Sequence, residues 1–377
     1  MKKILHISNY YYPYYAGREQ TAKDCVNSLK DNYENKVICF NDKNYDCVDN
    51  IDKVEIIRCR ENIKISSQPI SFSYPKLLKK TIHSYKPNII IFHYPNPFVA
   101  HFLLRIIPDD CKLVLYWHLD IIKQKILGKL FYKQNEKLLK RANKIIATSE
   151  NYIKGSRWLT NNKNKCVVIN SCINEKRLEI NDKIIKVSDS IKKENEGKTI
   201  CIAIGRHVKY KGFEYLIKAC NYLDESFRIY FVGEGKLTKK LKEEAKNDSK
   251  IQFLGSVSDE TLKAFLLASD ILCFPSITKN EAFGLALAEG MYYGKPGVTF
   301  TIPGSGVNYV CPNGVTGLEV ENKDYVQYAN ALKQLSYDVN MRNKLGENAK
   351  QYVIDNFMYK KYSIKIQNLI EEMLLNK

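Results

Sequence analysis

Two glutamates, Glu281 and Glu289, bracket a run that is otherwise apolar or glycine: Glu281-Ala-Phe-Gly-Leu-Ala-Leu-Ala-Glu289. The apolar character continues through Met291, Tyr292 and Tyr293, and a short strand, Ile271-Leu-Cys-Phe274, precedes it. From Gly284 onward the pattern predicts a buried helix that opens on a loop. An ionised carboxylate among apolar side chains is costly unless something pairs with it. A carboxylate only accepts hydrogen bonds, so a ligand rich in hydroxyl donors suits both glutamates. The helix start at Gly284 also points unpaired backbone N–H groups toward the same place, which suits a phosphate. Carboxylates for hydroxyls beside amides for phosphate describe a site for a sugar nucleotide. The plainer alternative leaves Glu281 solvated on a loop and pairs Glu289 with a lysine in the core.

Three other places carry residues fit for the same ligand. After the strand Ile200–Ile204 comes Gly205-Arg206-His-Val-Lys-Tyr-Lys211-Gly212. Glycine lets the chain turn sharply off the strand. Arg206 and Lys211 then offer a forked guanidinium and a point-charge ammonium to a diphosphate. Gly17, in Tyr12-Pro-Tyr-Tyr-Ala-Gly17-Arg-Glu19, stands at a strand-to-helix turn where backbone can approach a phosphate closely, although any tight turn of this kind wants a glycine. His118, in Trp117-His-Leu-Asp120, closes a strand and can donate to a phosphate or a sugar hydroxyl; a histidine satisfied under a loop is the alternative. His93 and His101, flanking Tyr94-Pro-Asn-Pro97, are weaker candidates. The dinucleotide fingerprint Gly-x-Gly-x-x-Gly is missing, since Val232-Gly-Glu-Gly235 has two of its glycines, and this disfavours a nicotinamide enzyme. No Asp-x-Asp occurs, so no metal site is expected.

The elements that must position these residues alternate. Strands over about 3–8, 37–40, 54–60, 88–93, 112–117, 144–148 and 166–169 are interleaved with helices over about 19–29, 74–86, 97–107 and 123–141. Strands such as Ile89-Ile-Ile-Phe92, apolar on both faces, imply a parallel, doubly wound sheet. Rhythm is lost over 173–198, a stretch rich in Lys, Glu, Asp, Asn and Ser that reads as a linker. Alternation restarts at Thr199, giving a second domain over 199–357 to set beside the first over 1–172, and 377 residues are too many for one ordinary core. Eleven scattered cysteines, with no Cys-x2-Cys pair, read as buried thiols of a reducing cytoplasm. No run reaches the ~18 apolar residues of a membrane span. The opening Met-Lys-Lys runs into Asn9 with no apolar core of a leader and reads as a first buried strand. The net charge is +18, densest between Ile121 and Lys144, where lysines alternate with Ile, Leu and Phe. A basic amphipathic helix there suits an anionic membrane surface, and a solvated face over a core is the alternative. Nucleic acid is not expected as a partner, because no recognition motif accompanies the charge.

With these residues in hand, the chain resembles the retaining glycosyltransferases of family 4. The resemblance runs nearly the whole length and is strongest from Gly205 to Gly317. It rests on Val232-Gly-Glu-Gly235, Phe253-Leu-Gly255, Ala268-Ser-Asp270, Phe274-Pro-Ser276, the Glu281-x7-Glu289 segment and Gly314-Val-Thr-Gly317. It implies an α/β architecture of the GT-B kind, two Rossmann-like doubly wound domains facing across a cleft, with a C-terminal helix (360–377) returning to the N-terminal, acceptor-side domain. It further implies that Glu281 holds hydroxyls of the donor sugar and Glu289 the ribose. Arg206 and Lys211 grip the diphosphate beside Gly205, helped by amides near Phe283, Gly284 and Leu285. Gly17 meets the phosphates from the other domain, and His118 lines the sugar site. The family usually has Gly-Gly where this chain has Ala16-Gly17. Tyr116-Trp-His-Leu-Asp-Ile-Ile-Lys-Gln-Lys125 and Ala147-Thr-Ser-Glu150 look more narrowly like bacterial mannosyltransferases of surface-polysaccharide (O-antigen, capsule) assembly. The expected reaction is transfer of a hexose from GDP-mannose to a lipid-linked glycan, on the cytoplasmic face of the plasma membrane, without metal or cofactor. A UDP-sugar donor, a sugar-nucleotide 2-epimerase and a basic membrane-binding protein are the alternatives.

Overall fold

The computed structural model describes residues 1–14, 16–65, 68–121, 128–246 and 248–375. The chain divides into two compact units, Met1–Cys172 with Lys360–Lys377, and Ile173–Tyr359.

In the first unit, strands β1 (Lys3–Ile7), β2 (Glu34–Asn41), β3 (Cys47–Ile51) and β4 (Val54–Arg60) precede a two-stranded hairpin of β5 (Ile63–Ile65) and β6 (Gln68–Ile70). Strands β7 (Ile89–Tyr94), β8 (Lys112–Trp117), β9 (Lys144–Ala147) and β10 (Cys166–Val168) follow, and the large sheet runs β10-β9-β8-β7-β1-β2-β4-β3. Every pairing in it is parallel except β3 with β4. All six residues of β7 are buried, as a central parallel strand covered on both faces requires. The sheet order reverses between β1 and β7, the topological switch point at which doubly wound sheets bind ligands. The sequence reading misses β3 and the hairpin. Asp49 and Asn50 are poor strand formers, and β3 is held in place by its antiparallel pairing with β4.

Helices α1 (Gly17–Leu29), α2 (Tyr74–Tyr85), α3 (Pro97–Ile106), α4 (Gly128–Arg141), α5 (Glu150–Gly155) and α6 (Arg157–Thr160) connect these strands. The start of α3 is fixed by Asn96, whose side chain accepts from the Val99 amide with Pro97 in the first turn. The expected basic helix from Lys123 lies partly outside the described residues. Within its described part, Leu138 and Leu139 are buried while Lys133, Lys137 and Lys140 are exposed. Arg141 donates to the carbonyls of Pro108 and Cys111, and Lys144 pairs with Glu372 at 2.9 Å. Here Leu138 and Leu139 face the core of the unit, and the exposed lysines give this part of the segment a charged outer face.

The second unit contains α7 (Asp182–Glu194), β11 (Thr199–Ile204), α8 (Phe213–Cys220), β12 (Phe227–Val232), α9 (Thr238–Glu244), β13 (Ile251–Gly255), α10 (Asp259–Ala268) and β14 (Ile271–Phe274). It continues through α11 (Leu285–Tyr292), β15 (Gly297–Phe300), α12 (Val307–Val310), β16 (Gly317–Val320), α13 (Tyr325–Tyr337) and α14 (Val339–Asn356). Its sheet is parallel throughout, in the order β13-β12-β11-β14-β15-β16. The switch point falls between β11 and β14. A last helix, α15 (Tyr359–Leu375), returns to the first unit. There Tyr362, Ile366, Leu369, Ile370 and Met373 are buried, and Gln367 donates to the Ser28 carbonyl at 2.8 Å. Among the described residues no helix is long and apolar enough to cross a membrane.

The segment 173–198 corrects the sequence reading. It belongs to the second unit, where Ile173 exchanges backbone bonds with Phe357 and Tyr359, and α7 packs on α10. Asn181 caps α7 by accepting from the Ile184 amide, and Ile184, Ser188 and Ile191 form one buried stripe. The charges on the remaining faces dominate the composition and hide that helical spacing. Ile184→Ala is therefore expected to destabilise the full chain by about 2–4 kcal/mol in urea unfolding. A mere spacer would leave the midpoint unchanged.

Candidate active site

Two loops flank the switch point of the second unit. The first leaves β11 at Gly205 (φ +149°) and re-enters helix at Gly212 (φ +65°); the second leaves β14 at Pro275 and enters α11 at Gly284 (φ +99°). They touch through backbone. A Cβ on Gly212 would stand 2.1 Å from the Pro275 carbonyl oxygen, and the Ile277 amide donates to the Tyr210 carbonyl at 2.9 Å. A side chain at 212 would push the loops apart. On the other flank, a Cβ on Gly233 would meet the Gly205 carbonyl oxygen at 2.3 Å, and one on Gly235 the His207 carbonyl oxygen at 2.6 Å. Val232-Gly-Glu-Gly235 is thus a brace for the cationic loop, tied further by bonds from the His207 amide to Glu234 and from the Leu237 amide to His207.

This packing brings Lys211 to Glu281. Nζ lies 2.5 Å from Oε2, with side-chain exposures of 10% and 13%. The stem of Lys211 passes over Gly205, where a Cβ would sit 3.1 Å from Cε, and its ammonium lies 4.6 Å from the centre of the Phe274 ring. Ser276 Oγ donates to the same Oε2 at 3.2 Å. Among the described residues Oε1 has no partner, so Glu281 retains an acceptor for a ligand hydroxyl. The Ser305 hydroxyl, brought close by Gly306, donates to the Glu281 carbonyl; a Cβ on Gly306 would lie 2.1 Å from the Ala282 carbonyl oxygen. Next along the chain, the amides of Phe283, Gly284 and Leu285 find no acceptor among the described residues, and α11 has no side-chain cap. Phe283 is buried edge-on against Phe357. Arg206 is exposed on the same loop as Lys211.

Glu289 lies about one turn into α11, and its environment differs from the expectation. Its Oε1 is paired with the Arg177 guanidinium, which also reaches Asp259 at 3.4 Å. The plainer reading expects a lysine in the core; the partner is instead a partly exposed arginine from the segment 173–198. Among the described residues Glu289 Oε2 has no partner. Arg177 carried no signal in the sequence, because nothing marks a single arginine as the neighbour of a glutamate so far along the chain.

In the first unit, Gly17 opens α1 after Ala16, whose backbone is extended (φ −159°) and supplies no side-chain cap. His118 follows β8 and is buried at 5% exposure. Burial pushes its pKa down to about 3, and the charge of Arg18 acts in the same direction. Arg18, passed over in the sequence reading, is thus an electrostatic neighbour of His118. His101 is exposed on α3 and has no part in this cluster. His93, ranked as weak, lies 3.0 Å from His118 through Nδ1 and Nε2. His6, Cys25 and His93 are the described residues whose possible metal-ligating atoms converge, within 4.8 Å of one another.

Residues 15–177 match Glycosyltransferase Family 4, and residues 185–352 match Glycosyl transferases group 1. The chain belongs to family 4 of the glycosyltransferases and has the GT-B fold, with a Rossmann-like sheet in each unit. Among its relatives, the O-antigen chain mannosyltransferase C of Escherichia coli is 27% identical over 364 residues, covering 93% of this chain and 92% of that protein. The D-rhamnosyltransferase WbpZ of Pseudomonas aeruginosa is 29% identical over 304 residues, covering 78% and 75%. In fold, a sucrose-phosphate synthase from Thermosynechococcus elongatus superimposes with a TM-score of 0.84 at 18% identity, with full coverage of both chains.

Removing the charge of Glu281 leaves a buried ammonium alone. Glu281→Gln is expected to destabilise the ligand-free protein by about 3 kcal/mol, and the Lys211→Met/Glu281→Gln double variant to recover most of that loss in urea unfolding. Equal stabilities for the single variant and the parent would show that the pair is not a buried one.

Proposed function

We propose that this chain transfers a hexose, mannose from GDP-mannose, to a lipid-linked oligosaccharide of a surface polysaccharide, with anomeric configuration retained and without a metal. The observation that carries this reading is the Lys211–Glu281 pair beside the open amides of Phe283, Gly284 and Leu285, at the switch point of a sheet whose family transfers sugars. An ammonium has three donors, and the pair with Glu281 leaves two for a diphosphate. Arg206 adds a forked donor from the same loop, and Glu281 Oε1 accepts from a sugar hydroxyl. Glu289 Oε2 serves the ribose, while Gly17 and His118 contribute backbone and imidazole N–H groups, as the family resemblance implies. The names of the two relatives support a mannose-like sugar and a polysaccharide product.

In the reaction, the bond from the anomeric carbon to the diphosphate oxygen breaks and a bond to the acceptor oxygen forms on the same face. The departing phosphate takes the acceptor's proton, and GDP is released. Lys211, Arg206 and the α11 amides stabilise the charge that grows on the diphosphate, and such preorganised donors are the largest catalytic contribution in sites of this kind. Each of Arg206→Ala and Lys211→Ala is expected to lower kcat/KM about a hundredfold, roughly 3 kcal/mol of barrier. Wild-type turnover in both would refute the assignment.

Product analysis of the purified protein against GDP- and UDP-sugars, with membrane lipids as acceptors, tests the donor. An α-linked mannosyl product from GDP-mannose is expected. Turnover of UDP-sugars alone would replace the donor, and conversion of the donor to an isomer without acceptor would replace the reaction. The net charge of +18 and the exposed Lys133, Lys137 and Lys140 support peripheral attachment to the inner face of the plasma membrane as part of this reading. Binding to anionic vesicles in co-sedimentation should weaken as salt is raised, and no binding at low salt would remove this part of the reading.

A further inference from the structure

His93 and His118 are joined by one hydrogen bond whose direction the surroundings determine. In the parallel pair β7–β8, His93 stands opposite Tyr116. The imidazole of His118 stacks on the Tyr116 ring at 4.6 Å and 5°, and His93 lies nearly parallel to both rings, 5.1 Å from Tyr116 and 5.3 Å from His118. His93 Nδ1 is 3.0 Å from His118 Nε2. Burial holds both imidazoles neutral, pushing His118 down to about 3 and His93 well below its ordinary range. The bridge is therefore one proton shared between two neutral rings, each with a single N–H.

Two arrangements exist. If His118 donated from Nε2, the proton of His93 would sit on its own Nε2, which is buried and has no partner among the described residues. An orphaned buried N–H is rarer and costlier than an orphaned lone pair. If His93 donates from Nδ1, only a lone pair is left at its Nε2. His6 beside it shows the same economy. The Asn35 amide donates to the Tyr33 carbonyl, so its Oδ1 must accept from His6 Nε2, and His6 Nδ1 is left as an unpartnered lone pair.

We propose that His93 is a positioning residue that donates to His118 Nε2 and fixes His118 as the Nδ1–H tautomer, a donor and never an acceptor toward the ligand. Among the described residues His118 Nδ1 has no partner. Resting on the reading that His118 lines the donor-sugar site, this assigns its target as an oxygen with a lone pair to offer: a hydroxyl used as acceptor, or a phosphate oxygen. A ligand group that can only donate is rejected there.

Long-range proton–nitrogen correlation spectra of the full chain with 15N-labelled histidine test the tautomer directly, and six histidines can be assigned by single substitutions. The expected wild-type result is His118 protonated at Nδ1. His93→Phe, which keeps the ring stack and removes the donor, should move His118 toward the Nε2–H form, whereas His93→Asn, which offers an amide N–H, should keep the wild-type form. His118 protonated at Nε2 in the wild type, or unchanged in His93→Phe, would overturn the proposal. With GDP-mannose, His93→Phe should lower kcat/KM about five- to tenfold, with rescue by His93→Asn and no further loss in a His118→Ala background. An equal loss in that background would make His93 structural only. Full activity of His118→Ala would refute the role given to His118 in the functional reading, while the spectra would still decide the tautomer.

Discussion

A lysine and a glutamate with little access to water, joined end to end, are the constraint on which the site depends. Neither charge could stay there alone, because the interior does not replace lost hydration. Their pairing at 2.5 Å sets each charge against the other while committing only part of their hydrogen-bonding capacity. Lys211 has N–H groups to spare and Glu281 has a second oxygen. The site is thus assembled before any ligand arrives, and binding need not pull long side chains out of solvent. That preorganisation distinguishes a built site from a chance pair of surface charges.

The glycines make the pairing possible. Gly212 lets the cationic loop lie against the backbone after β14, Gly205 clears the path of the Lys211 stem, and Gly306 admits the strand of chain that holds Glu281 from behind. At 212 and 306 a methyl group would collide with backbone, and at 205 it would crowd the end of the Lys211 side chain. The same logic explains the two glycines of Val232-Gly-Glu-Gly235, which resemble a nucleotide fingerprint in the sequence and act in the structure as a backbone brace. Each sheet reverses its order beside its own candidate residues, between β11 and β14 in one unit and between β1 and β7 in the other. Strand order therefore does for both units what the glycines do locally: it opens a crevice at the carboxyl ends of the strands.

Much of this was legible in the sequence. Strands buried on both faces announce themselves as unbroken apolar runs, and Glu281-x7-Glu289 stands out because charge in such surroundings needs a reason. What the sequence hid has physical causes. The stripe of α7 is three residues wide in a field of lysines and aspartates, so composition masked periodicity. Strand β3 forms because β4 offers it a partner, and local preference opposes it. Arg177 and Arg18 matter through neighbours that only folding supplies. His93 looked weak because the sequence cannot show that a ring two residues past the opposite strand position will meet it.

The most direct trial of the central claim is a crystal structure of the chain with GDP-mannose bound. The diphosphate should lie within hydrogen-bonding distance of Lys211 Nζ and the amides of Phe283 to Leu285, with a sugar hydroxyl on Glu281 Oε1. A nucleotide sugar seated elsewhere, with the Lys211–Glu281 pair untouched by it, would contradict the account.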